Sequence, residues 1–119
     1  MQARTYLKEL KDDGWYLGDT AGACRQYIHR ERPGVVTVCL RHNDVLGPQT
    51  LARARAPAEI DLDGVPDVVI ETTETGASAY SPDLPGVVAT GPDEVSTRER
   101  MSAAVALHRK RLGGAGAGQ

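Results

Sequence analysis

The sequence predicts an α+β fold in the order αβββα, linker, βββα. Two amphipathic helical patterns and one long helical run alternate with six short strand-like runs. Gly and Pro cluster between the runs, where the chain must turn.

Residues 3–13 read as the first helix. Tyr6, Leu7 and Leu10 share one face, Lys8, Glu9, Lys11, Asp12 and Asp13 surround them, and Gly14 stands where a helix C-cap needs it. Trp15-Tyr16-Leu17 is a short strand and Asp19-Thr20-Ala21-Gly22 a turn. Cys24–His29 and Val35–Leu40 form a hairpin across Pro33-Gly34, since Pro presets φ and Gly supplies the reversal. Gln49–Arg55 is a second short helix after Gly47-Pro48. Residues 57–66 are acidic and bounded by prolines, and read as a linker. Strands follow at Asp67–Thr72, Ala77–Tyr80 and Val87–Thr90. Pro92 suits a first helical position, with Asp93 and Glu94 at the positive end of the dipole, and this helix runs to about Leu112. The Gly/Ala-rich tail, residues 113–119, is expected to be disordered.

Composition narrows the function classes. The 119 residues are 40% hydrophobic and 25% charged, which is globular. Aromatics are only 4% and Phe is absent, so Val, Leu, Ile and Ala must build the core. No apolar run reaches the roughly 18 residues of a membrane span. The first residues lack the apolar stretch of a secretory signal. Two cysteines without such a signal favour the cytoplasm and reduced thiols. Net charge is −2 overall, but residues 1–58 carry +3 and residues 59–119 carry −5. A basic half joined to an acidic half suggests two modules with different electrostatic roles.

The first half resembles HicA, the toxin of the HicA–HicB toxin–antitoxin systems. The matching pieces are Leu7-x-x-Leu10, Asp13-Gly14-Trp15, Gly22-Ala23-Cys24-Arg25-Gln26-Tyr27, His29, Pro33-Gly34-Val35-Val36-Thr37-Val38, His42 and Gln49-Thr50-Leu51. Residues 67–111 resemble the core of HicB, the antitoxin, through Val68-Val69-Ile70-Glu71, Ala79-Tyr80, Pro82-Asp83-Leu84-Pro85-Gly86, Gly91 and Asp93-Glu94. The resemblance implies a double-stranded-RNA-binding-domain-like (dsRBD-like) αβββα module, residues 1–56, and a partial RNase H-like βββα module, residues 67–112. It also implies a metal-independent mRNA ribonuclease whose active site the second module covers.

The chain departs from the family at two places. Cys24 stands where the resemblance expects the catalytic histidine. Cleaving RNA without metal needs a group that exchanges protons near neutrality, and a neutral thiol is a poor substitute. The chain also ends in Gly-Gly-Ala-Gly-Ala-Gly-Gln, where HicB proteins often continue into a DNA-binding domain, so operator binding is not expected. The expectation is therefore a HicA–HicB-like fusion without ribonuclease activity, acting as a binding or regulatory protein. The alternative is a self-inhibited ribonuclease using His29 or His42. Partners implied are RNA, related HicA or HicB proteins, and a second copy that exchanges halves. No cofactor is implied.

The same residues admit other chemistry. Cys24 as a nucleophile needs a neighbouring base, and a strand sends Cys24 and His29 to opposite faces. Cys24, His29, Cys39 and His42 have a spacing that suits tetrahedral zinc, but the same geometry opposes it, and no metal is expected. A Cys24–Cys39 disulfide depends on strand register. Lys8, Lys11, Arg25, Arg41 and His42 are candidates for an RNA-binding surface, with the acidic half as competitor. Pro82-Asp83-Leu84-Pro85-Gly86 is both a turn and the segment expected to contact the other half, with Leu84 presented on a stiff backbone.

Overall fold

The computed structural model describes residues 1–56 and 67–117. The expected linker, 57–66, and the last two residues of the expected tail lie outside them. In chain order the elements are α1 (Ala3–Asp12), β1 (Tyr16–Ala21), β2 (Cys24–Ile28), β3 (Val36–Cys39), α2 (Pro48–Ala54), β4 (Val69–Thr73), β5 (Gly76–Tyr80), β6 (Val87–Gly91) and α3 (Glu94–Ala117). This is a mixed α+β domain with one open sheet of six strands, ordered β1-β2-β3-β6-β5-β4.

The centre of the sheet joins the two halves of the chain. β3 and β6 pair in parallel, with Thr37 beside Val87, Val38 beside Val88 and Cys39 beside Ala89. Every residue of both strands is buried. Parallel strands need cover on both faces, and these two have it. Tyr6, Leu7 and Leu10 of α1 and Ala54 of α2 cluster with Val36, Val38 and Val88. Met101, Ala104, Val105 and Leu107 of α3 cluster with Cys24, Cys39, Val87 and Ala89. The period of two along each strand thus feeds two cores, one per face. All other strand pairs are antiparallel.

Polar contacts also tie the halves together. Glu71 of β4 accepts from the Gln49 and Thr50 backbone N–H groups at 3.2 and 2.6 Å and from the Thr50 hydroxyl at 2.6 Å, capping α2 from across the sheet. A Cβ on Gly47 would lie 2.5 Å from that carboxylate, so the approach requires glycine. Under α3, the Gln26 amide donates to Thr37 Oγ1 at 3.1 Å, and Thr37 Oγ1 lies 2.9 Å from His108 Nδ1. Asp44 is 2% exposed and accepts from Arg41 at 2.9 and 2.8 Å and from the Thr90 hydroxyl at 2.8 Å. Burial works against charge on Asp44, but the hydrogen bonds from Arg41 and Thr90 and the nearby Arg41 and Arg100 cations hold its carboxyl below the usual range.

Three local expectations shift. Asp19, Thr20 and Ala21 belong to β1, and the reversal falls at Gly22-Ala23. Gly22 has φ +60° and Ala23 has not, the pattern of a type II′ turn, whose twist suits a two-residue hairpin. Pro92 precedes the last helix rather than opening it. Asp93 is the cap, its Oδ1 accepting the Ser96 N–H at 2.8 Å, which also lowers its carboxyl pKa. α3 continues past Leu112 to Ala117, because extending an existing helix adds a hydrogen bond for each residue ordered. Among the described residues no helix is long and apolar enough to cross a membrane.

Candidate nucleic-acid interface

A groove of about 1010 Å³ lies between α1 and the β1–β2 hairpin. Arg4, Leu7, Lys8 and Lys11 of α1 form one wall. Leu17, Arg25 and Tyr27 of the hairpin form the other, and Arg30 and His42 also line it. Arg4, Lys8 and Lys11 reach the groove together because they stand at i, i+4 and i+7 of one helix. Arg25 reaches it because its strand neighbours Cys24 and Gln26 point to the α3 side and are buried there.

Four of the five residues singled out in the sequence therefore meet: Lys8, Lys11, Arg25 and His42. Arg41 stands apart, committed to a two-pronged bond with Asp44. Sequence reasoning overlooked Arg4 and Arg30. Helical spacing from Lys8 could have found Arg4. Arg30 depends on the fold of its turn, where its guanidinium lies over the Tyr16 ring, 5.8 Å from the centroid. Lys8 pairs with Asp12 at 2.7 Å, whereas Lys11 and Arg25 make no ion pair among the described residues. Two acids, Asp12 and Glu31, share the lining with five Lys or Arg side chains, so the groove is net positive in a chain of net charge −2.

A second cavity of about 750 Å³ lies on the other side of α1, over Tyr6, Leu10, Trp15, Val36 and Ala54. Its rim is neutralised by pairs between Lys8 and Asp12, Glu9 and Arg55, and Asp13 and Arg32. Arg55 holds Glu9, and Arg32 holds Asp13, below the usual carboxylate range. Among the described residues every charged side chain lining it is paired.

His29 serves the fold. Its Nδ1 accepts the Glu31 and Arg32 N–H groups at 3.0 and 3.2 Å, so the proton sits on Nε2, which donates to the Asp13 carbonyl at 2.8 Å. The ring meets Trp15 edge-on, with centroids 5.2 Å apart. Gly14, at φ +97°, is required beneath it, because a Cβ there would come within 2.6 Å of Nε2. The ring locks the turn carrying Arg30 to the end of α1 and has no nitrogen left for proton transfer. His42 is exposed at the groove.

Cys24 and Cys39 are direct partners in the β2–β3 register and form a disulfide. Both are buried, at 3% and 1% exposure, in the core under α3. The expectation of reduced thiols is thus corrected by register: opposed positions on adjacent strands bring the two side chains together. Cys24 lies on the far face of the sheet from the groove and from His29. Among the described residues no group of three or more His, Cys, Asp or Glu is placed to hold a metal.

The Pro82–Gly86 segment lies between the halves. Leu84 is fully buried in the α3-side core. The Gly86 N–H donates to the Arg53 carbonyl at the end of α2, and the Gly86 carbonyl accepts the Thr37 N–H of β3, both at 2.8 Å. Asp83 accepts the Asp67 N–H at 3.3 Å. Pro82 and Pro85 flank these contacts. Among the described residues the groove's lining comes entirely from residues 4–42, and the second half meets the first along the sheet. Family models, curated proteins and solved structures show no significant match to this chain.

Proposed function

We propose that the chain is a HicA–HicB-like fusion that binds RNA through the groove between α1 and the β1–β2 hairpin and does not cleave it. In this reading the first half is dsRBD-like, with α1 and α2 on one face of its three strands, and the second is a partial RNase H-like unit that completes the sheet. The observation that carries the reading is the groove itself: Arg4, Lys8, Lys11, Arg25 and Arg30 converge on one open face whose counter-charges are few. Phosphate oxygens are the anions such a groove suits, since cations spaced along it release counterions from a backbone.

Binding rather than cleavage follows from the imidazoles. Acid–base cleavage uses one group to take the 2′-hydroxyl proton and another to protonate the leaving oxygen. His29 is fully bonded, Cys24 is bonded to Cys39 on the other face, and His42 is the only imidazole exposed at the groove among the described residues. A regulatory role in the cytoplasm, on RNA or on a related toxin–antitoxin pair, fits a protein that holds RNA intact. The cysteines no longer argue for that compartment.

Fluorescence anisotropy of labelled RNA with the full chain, across a salt series, tests this. Four uncommitted cations at about 0.7 each give a log–log salt slope of about −2.8. Lys11→Glu with Arg25→Glu should abolish binding while the thermal midpoint holds. Salt-independent binding, or wild-type affinity in that double variant, refutes the reading.

A further inference from the structure

Four large hydrophobic side chains are exposed among the described residues, Met1, Tyr16, Leu17 and Val95. Two of them are consecutive on β1, at 43% and 50% exposure, and both line the groove. Leu17 pairs with Tyr27 and so belongs to the floor beside its ring. Tyr16, paired with Ile28, alternates to the other side of the strand and meets the groove at its outer edge, with Arg30 over its ring. β1 is the edge of the sheet, so nothing in the described residues covers its outer side.

The hairpin wall therefore adds a chemistry that α1 lacks. α1 presents Arg4 and Lys11, and the hairpin sets exposed apolar and aromatic surface beside Arg25. A duplex displays phosphates outward and hides its bases, so its charged backbone would lie against Leu17 and Tyr16. It would also meet Asp12 and Glu31 in the lining and Asp19 farther along β1. Shape-reading of duplex RNA spreads contacts over about 16 base pairs. Here Arg4, Lys11, Arg25 and Arg30, none of them in an ion pair among the described residues, gather in one groove, and Glu71 already occupies the first N–H groups of α2. A single strand fits both walls at once, because unstacked bases seek aromatic rings and guanidinium planes while the backbone seeks cations.

We infer that the groove takes a single-stranded stretch of RNA, its phosphates along Arg4, Lys11 and Arg25 and its bases against Leu17 and the Tyr16–Arg30 stack. This rests on the RNA-binding reading above and adds to it the strand state of the ligand and the residues that touch bases.

The test titrates the full chain with a single strand of roughly 12 nucleotides and with the duplex it forms with its complement, at one salt concentration. The single strand should bind at least about tenfold tighter. Tyr16→Ala should weaken it roughly 5- to 150-fold, the range that one stacked base confers, and leave duplex binding where it was. Leu17→Ser probes the same shelf if Tyr16→Ala does not fold. Duplex binding as tight as single-strand binding, or wild-type affinity in both shelf variants, overturns the inference and leaves the RNA-binding reading standing. Absence of salt-dependent binding to either form overturns that reading instead.

Discussion

Replacing Cys24 by His installs an imidazole where the family resemblance expects the catalytic one. The expected result is an unstable protein with no gain of ribonuclease activity. Cys24 is 3% exposed, bonded to Cys39, and packed among Leu84, Ala89 and Met101 on the α3 side of the sheet. Breaking a bridge of sequence separation 15 removes about 3 kcal/mol by the chain-entropy model. Forcing a larger side chain into a filled core adds about 1–3 kcal/mol. The total of about 4–6 kcal/mol rivals the whole stability of a small domain. Urea unfolding should therefore show a large fall in midpoint, with Cys24→Ala isolating the bridge and the difference between the variants isolating the imidazole. Metal-free RNA cleavage is measured alongside, at a temperature where the variant remains folded. Cleavage gained at wild-type stability would place Cys24 at the RNA face and refute the two-face assignment on which the site rests.

Two further perturbations probe the joints between the halves. Asp44→Asn should cost about 1.5–3 kcal/mol at neutral pH by weakening charge-assisted bonds to Arg41 and Thr90. Because the Asp44 carboxyl is held below its ordinary range, its contribution is present above that range and fades as pH falls through the lowered value. Wild type and Asp44→Asn should therefore converge in acid, and parallel stability curves down to low pH would contradict this. Glu71→Ala should cost about 1–2 kcal/mol by uncapping α2, read as a lower thermal midpoint. An unchanged midpoint would mean the cap contributes nothing.

Local signals in the sequence located most elements. α1 follows from Tyr6, Leu7 and Leu10 with Gly14 behind them, and the β2–β3 hairpin from Pro33-Gly34. These depend on residues a few positions apart, where propensity and turn chemistry act directly. The parallel joint between β3 and β6 was not legible, since it pairs strands from opposite halves and leaves no local mark beyond the unbroken apolar runs Val35-Val36 and Val87-Val88. The disulfide needed the register, which pattern alone does not set. The groove was legible in part. Lys8, Lys11, Arg25 and His42 are a composition signal that the fold happens to converge. Arg41 carries the same composition signal, yet Asp44, three residues on, satisfies it, and Leu17 has an ordinary strand pattern that only the sheet order turns into an uncovered edge.

The β3–β6 joint has a consequence for how this chain comes to be folded during synthesis. A ribosome releases residues 1–56 long before β6 exists. Until then Val36, Thr37, Val38 and Cys39 face no partner on one side, and the Thr37 N–H has no Gly86 carbonyl to meet. An open edge of that composition is a template for pairing with other chains. The α1–β1–β2–β3–α2 segment must wait for the rest, and its closing contacts are distant in sequence, which slows folding and prolongs exposure. A message truncated between the halves would yield a sticky fragment in place of a free RNA-binding module.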